Sequence, residues 1–241
     1  MAVSVDTVYQ KVLAISNKEQ RGYITPQEFN LLADRAQYEI YQNYFNEIRN
    51  AERKVKNHQQ FSDIVEQVEE KLQVFKRRQD ITSTSILSIG SLCYKIISVE
   101  RGNGTLSTST DFYPVEMVSQ KEYAYISRNP LTKPTIERPV AVRRRATDND
   151  LEIYPIVSPA VVSKVYYYTS PSTPRWTYVV VNEQALYNQS AEDASDFTLH
   201  SSEEENLVTK ILQLAGIVIK QPDIQQAAMN SYQMYNQEKN N

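Results

Sequence analysis

The hydrophobic pattern changes period twice along the chain, helical at both ends and alternating in the middle, and that change limits the architectures open to it. Val5, Val8, Tyr9, Val12, Leu13 and Ile15 make one stripe for a first helix of about four turns, with Gly22 in the loop that follows. Thr25-Pro26-Gln27-Glu28 supplies a capping threonine, a proline at the first helical position and a glutamate three residues after the cap. From Phe29 to Ile48 the period stays helical, and no proline or glycine intervenes before Phe61, which predicts a helix of about 30 residues, roughly 45 Å long. A third helix is predicted from near Ser62, with Ile64, Val65, Val68, Leu72 and Phe75 inward and Arg77 and Arg78 on its solvated side.

After Asp80 the pattern alternates. Strands are predicted within Ser83–Val99, Val140–Ala146, Leu151–Ile156, Val161–Thr169 and Trp176–Val181, with a hairpin tip at Gly102-Asn103-Gly104. Ser119-Gln120-Lys121-Glu122 is a second capping box, placing one short helix over Glu122–Ser127. Ser202, with Glu205 three residues on and Glu203 and Glu204 between, is expected to cap a closing helix. Leu207, Val208, Ile211, Leu212, Ala215, Val218 and Ile219 give that helix its apolar face, and Pro222 ends it. The expected fold is α+β: a helical bundle from 1–82 and 197–241, with an antiparallel β-domain of 83–196 inserted into it.

With 241 residues, 41% of them hydrophobic, the chain is long enough to build a substantial core. A formal charge of −3 argues against dedicated DNA binding, for which a basic surface is expected. The amino terminus lacks a basic region followed by an apolar core, and no apolar run is long enough to span a bilayer, so a soluble, unexported protein with no membrane partner is expected. Only five glycines occur and they form no phosphate-cradling loop, so no nucleotide cofactor is expected. Neither His58 nor His200 has partners at ligand spacing, so no metal and no catalytic set is expected. Adjacent carboxylates on a helix diverge by about 100° each, so Glu203, Glu204 and Glu205 do not converge on an ion. The lone Cys93 reads as a small buried hydrophobe.

Candidate contact residues remain. Arg143, Arg144 and Arg145 form the one run of three arginines, whose plainest reading is a solvated strand or salt bridges to a neighbouring subunit. Tyr167, central in Tyr166-Tyr167-Tyr168, suits a protein interface if its ring faces outward. Tyr232, Met234 and Tyr235 lie in the segment 224–241, whose adaptable and amphipathic side chains suit docking on another ring, with a terminal helix folded back on its own domain as the other reading.

Four segments resemble the head-to-tail connector or tail ring proteins of short-tailed bacteriophages, the tail tubular protein A (adaptor) family, with wording closest to structural proteins of crAss-like phages. They are NKEQRGYITPQEFNLLADRAQYEIYQNYF, then PVEMVSQKEYAYISRNPLTKPT with its sequel RPVAVRRRATDNDLEIYP, then VVSKVYYYTSPSTPRWTY, and DFTLHSSEEENLVTKILQLAGIVIKQPDIQQ. The resemblance implies a non-enzymatic virion component. Such proteins form homo-oligomeric rings, often of twelve copies, between the portal and the tail, and genomic DNA passes through the lumen without specific binding. Two other classes stay open on the residues alone: an enzyme of unrecognised type, and a DNA-packaging or nucleic-acid-binding accessory protein.

Overall fold

Thr25 sets the start of the longest helix. Its backbone N–H donates to the Glu28 carboxylate at 3.0 Å, and the Glu28 N–H donates back to the Thr25 hydroxyl at 3.3 Å. Two of the donors left over at a helix start are thereby satisfied. The structure, a computed structural model, describes residues 2–18, 24–54, 60–105, 111–145, 149–181, 184–218, 230 and 233–234. The fold is α+β and divides into a helical unit, 1–74 with 171–241, and a β unit, Phe75–Ser170.

The helical unit contains β1 (Ala2–Val3), α1 (Val5–Lys18), α2 (Pro26–Lys54) and α3 (Gln60–Leu72) from the first part of the chain. The second part adds β10 (Tyr178–Val181), β11 (Gln184–Tyr187), β12 (Phe197–His200) and α5 (Glu204–Val218). Helix α5 packs against α1 and α2, and α3 packs against α2. Val8 and Val12 of α1, Phe29, Ala33, Ala36 and Ile40 of α2, and Leu207, Ile211 and Leu212 of α5 are all buried. Ile15, expected in the α1 stripe, is exposed, while Ser16 on the next position is buried.

Ion pairs join the helices at their edges. Lys71 of α3 pairs with the buried Glu203, and Lys11 of α1 with Glu204 at 2.6 Å. The neighbouring carboxylates thus point to different partners, as helical geometry requires. Lys210 of α5 reaches Glu39 of α2 at 2.9 Å, and Arg35 reaches the same carboxylate at 3.0 Å. Partial burial pushes the Glu39 carboxyl up, but the hydrogen bonds from Lys210 and Arg35 outweigh it and hold the group below its ordinary 4.5. A depressed carboxylate stabilises fully above its unfolded value and loses that contribution as pH falls through its folded value. Glu39→Gln should therefore flatten part of the loss of stability below pH ~4.5, by about 1 kcal/mol for a part-buried pair at the unit's surface. Urea denaturation of both proteins between pH ~3 and ~6 checks this; parallel pH profiles would contradict it.

Ser202 is not the cap of α5. It lies in a 3-10 turn, Ser201–Glu203, whose own cap is His200: the imidazole accepts from the Ser202 N–H at 3.3 Å. A ring nitrogen does here what a hydroxyl was expected to do one turn later.

The β unit holds two four-stranded sheets. In the first, the order is β2 (Lys76–Ser83), β9 (Val161–Thr169), β4 (Cys93–Gly102) and β5 (Phe112–Pro114), antiparallel throughout. In the second it is β3 (Ile86–Leu87), β8 (Asp150–Tyr154), β7 (Val140–Arg145) and β6 (Glu116–Val118). One core joins them: Cys93, Val99 and Val165 from the first sheet meet Leu87, Ala141, Leu151 and Ile153 from the second. Cys93 is buried there, and burial pushes its thiol up, as expected of a core residue rather than a nucleophile.

Two boundaries and one strand direction differ from the sequence expectation. The first sheet begins at Lys76, so Arg77 and Arg78 belong to β2, not to the third helix and not to a bundle segment reaching residue 82. Arg78 and Asp80, two apart and so on one face of a strand, form a two-bonded ion pair at 2.7 and 3.0 Å. At the other end, residues 171–196 belong to the helical unit instead of the β unit. Gln37 of α2 donates to the Ser172 carbonyl at 2.7 Å and accepts from the Thr198 N–H at 2.9 Å, clamping both ends of that segment. Finally, the second sheet is mixed. Helix α4 (Gln120–Ile126), capped by Ser119 with Glu122, carries the chain across so that β6 and β7 run parallel.

Candidate interaction surface

Trp176 is the anchor from which a contact surface projects. Its indole N–H donates to Asp6 at 2.9 Å, its backbone N–H to the Asn30 side chain at 2.8 Å, and its carbonyl accepts from the same amide at 3.1 Å. Tyr9 packs on the indole at 4.2 Å between ring centroids, and Tyr178 and Tyr187 stack on it at 5.7 and 5.8 Å. Those two tyrosines face each other as the first cross-strand pair of β10 and β11. The base of the hairpin is therefore tied to the core of the helical unit.

Beyond that base the hairpin is bare. β10 and β11 form a separate two-stranded sheet, with Val179 opposite Leu186 and Val180 opposite Ala185. Val179, Val180 and Leu186 are 49%, 63% and 51% exposed, and every residue of β10 is exposed, so both faces of the strand are open. The paired positions read Tyr-Val-Val-Val and Gln-Ala-Leu-Tyr, without charge or proline. Natural proteins blunt exposed strand edges with lysine, proline or bulges, and this hairpin has none of these in its paired strands. Two strands alone are marginally stable, and apolar strands with free backbone groups are templates for another chain.

The residues selected from sequence fall elsewhere. Arg143 and Arg144 are exposed on β7, and Arg145 ends that strand. Tyr167 lies on β9 of the other sheet, between Arg77 and Ile96, and is half-buried, its ring packed against the β core. Met234 is exposed, whereas Tyr232 and Tyr235 lie outside the described residues, as does most of the segment 224–241. Within the β unit, Arg143 and Arg144 lie on β7 of one sheet and Tyr167 on β9 of the other. The strand over Trp176–Val181 was legible in sequence, but its run of valines, the signal for an exposed edge, was not among the selected residues.

Among the described residues, no group of three or more His, Cys, Asp or Glu side chains is placed to hold a metal ion, and no helix is long and apolar enough to cross a membrane. No protein-family model and no curated protein sequence matches the chain.

Proposed function

We propose that the protein is a ring-forming virion subunit, a head-to-tail connector or tail ring component that joins portal and tail around the DNA channel. The observation that carries the reading is the β10–β11 hairpin, an apolar element rooted in the core at Trp176 and exposed on both faces. A hairpin of one subunit laid on a different surface of the next makes a head-to-tail contact, and such contacts close into a ring when the rotation between copies allows. The four-segment resemblance to tail ring proteins supplies the cellular role, and the net charge of −3 suits a channel through which DNA slides without sticking.

A nucleic-acid-binding accessory protein is the second reading, favoured by the exposed Arg143 and Arg144. A mobility-shift titration of the full-length chain against duplex DNA separates the two. The ring reading expects no retardation at physiological salt. Retardation that weakens steeply with salt, and that Arg143→Gln with Arg144→Gln removes, would favour the accessory role.

A further inference from the structure

Every third residue of β4 faces the core between the sheets: Cys93, Ile96 and Val99 pack there. A regular strand turns alternate residues inward, so a spacing of three needs extra residues. Two β-bulges supply them where β4 pairs with β9, one between Cys93 and Lys95 and one between Ile96 and Ser98. Each bulge sets two successive side chains on the outer face of the sheet, Tyr94 with Lys95 and Ile97 with Ser98, and all four are exposed. On β9, Val165 and Tyr167 pack on the core, so the half-buried Tyr166 and Tyr168 point to that same outer face.

The register orders this face. Tyr168 stands between Lys76 of β2 and Lys95 of β4, and Tyr166 between Arg78 of β2 and Ser98 of β4. The central strand carries rings and the strands on either side of it carry cations. The carboxylates of the face, Asp80 and Glu100, flank Lys164 at one end, and Asp80 is paired with Arg78. The Tyr168 row holds two lysines and no carboxylate, so its local field is positive although the chain as a whole carries −3. We propose that this face binds single-stranded nucleic acid, with bases stacked on Tyr166 and Tyr168 and phosphates against Lys76 and Lys95. Rings two residues apart on a strand are separated by about 6.8 Å. Unpaired bases can splay onto rings set apart in this way, whereas the bases of a duplex are stacked on one another and closed to them. An acidic peptide would answer the lysines and leave the rings without a stacking partner; a single strand uses both. The site uses none of the hairpin residues and neither Arg143 nor Arg144, so it is independent of the assembly role.

Fluorescence anisotropy of a labelled oligothymidylate, titrated with the full-length chain across a series of salt concentrations, tests this. Binding should be saturable, and tighter than to the same strand paired with oligoadenylate. Lys76→Gln with Lys95→Gln, both at exposed positions, should make the slope of log affinity against log salt shallower by about 1.4, the counterion release of two phosphates on a single strand. Tyr168→Leu keeps an apolar side chain on the strand and removes the ring; it should weaken binding about fivefold to a hundredfold and leave the salt slope as it was. If that variant fails to fold, the lysine variant and the duplex comparison decide. No saturable binding at low salt, equal or tighter binding to the duplex, an unchanged slope in the lysine variant, or unchanged affinity in folded Tyr168→Leu would overturn the proposal. Displacement of the oligothymidylate by polyglutamate as readily as by unlabelled oligothymidylate would also overturn it, in favour of an acidic protein segment.

Discussion

Trp176→Ala should destabilise the helical unit by about 3–5 kcal/mol, the range for emptying a large buried aromatic site. The indole is almost wholly buried, packs on Tyr9 and closes the hydrogen bond to Asp6. Its removal leaves a cavity and takes a donor from a carboxylate, two losses that act in the same direction. Because folded domains are stable by only about 5–15 kcal/mol, the change is large. Trp176→Phe keeps an aromatic ring and loses the Asp6 bond, so it should cost about 1–3 kcal/mol. Urea denaturation followed by circular dichroism measures both, and a Trp176→Ala loss below about 1 kcal/mol would contradict the role given to this anchor. Leu212→Ala, in the face of α5 that packs on α1 and α2, should cost about 2–5 kcal/mol by the same cavity argument.

Val180→Lys should abolish self-association while leaving the subunit folded. Val180 is the most exposed residue of β10, so a lysine there has water to enter and meets no core. At an interface it would bring an unpaired charge into a desolvated centre, which typically costs about 2–5 kcal/mol, roughly thirtyfold to several thousandfold in affinity. Sedimentation velocity of wild type and variant at equal concentration gives the comparison. The unaltered circular dichroism spectrum expected of the variant separates lost assembly from lost fold. An oligomer that survives the substitution unchanged would move the interface away from the hairpin.

Sequence made the local elements legible and left the long-range pairings hidden. Thr25 and Glu28, and Ser119 and Glu122, are legible because a capping box is complete within four residues. Arg77-Arg78 reads as the wet side of a helix because charge carries no period of its own; the pairing with Tyr166 and Tyr167 across β9 makes it a strand. Residues 171–196 look like part of the β-domain because they contain strands, and what assigns them to the helical unit is Gln37 and Asn30, single side chains from far away in sequence. The parallel run of β6 beside β7 is likewise a property of the crossover, not of either strand's residues.

The contact surface shows the same division. Arginine and tyrosine runs are conspicuous in sequence, yet Tyr167 turns out to serve the core of the β unit. Tyr178–Val181 is an ordinary apolar strand by composition, and its significance lies in having, among the described residues, one short partner strand.

Electron-microscopic class averages of the purified full-length chain test the central claim most directly. The account predicts closed rings with rotational symmetry for the wild type and single subunits for Val180→Lys under the same conditions. Dispersed single subunits for both proteins across the accessible concentration range, or an open filament without closure, would contradict it.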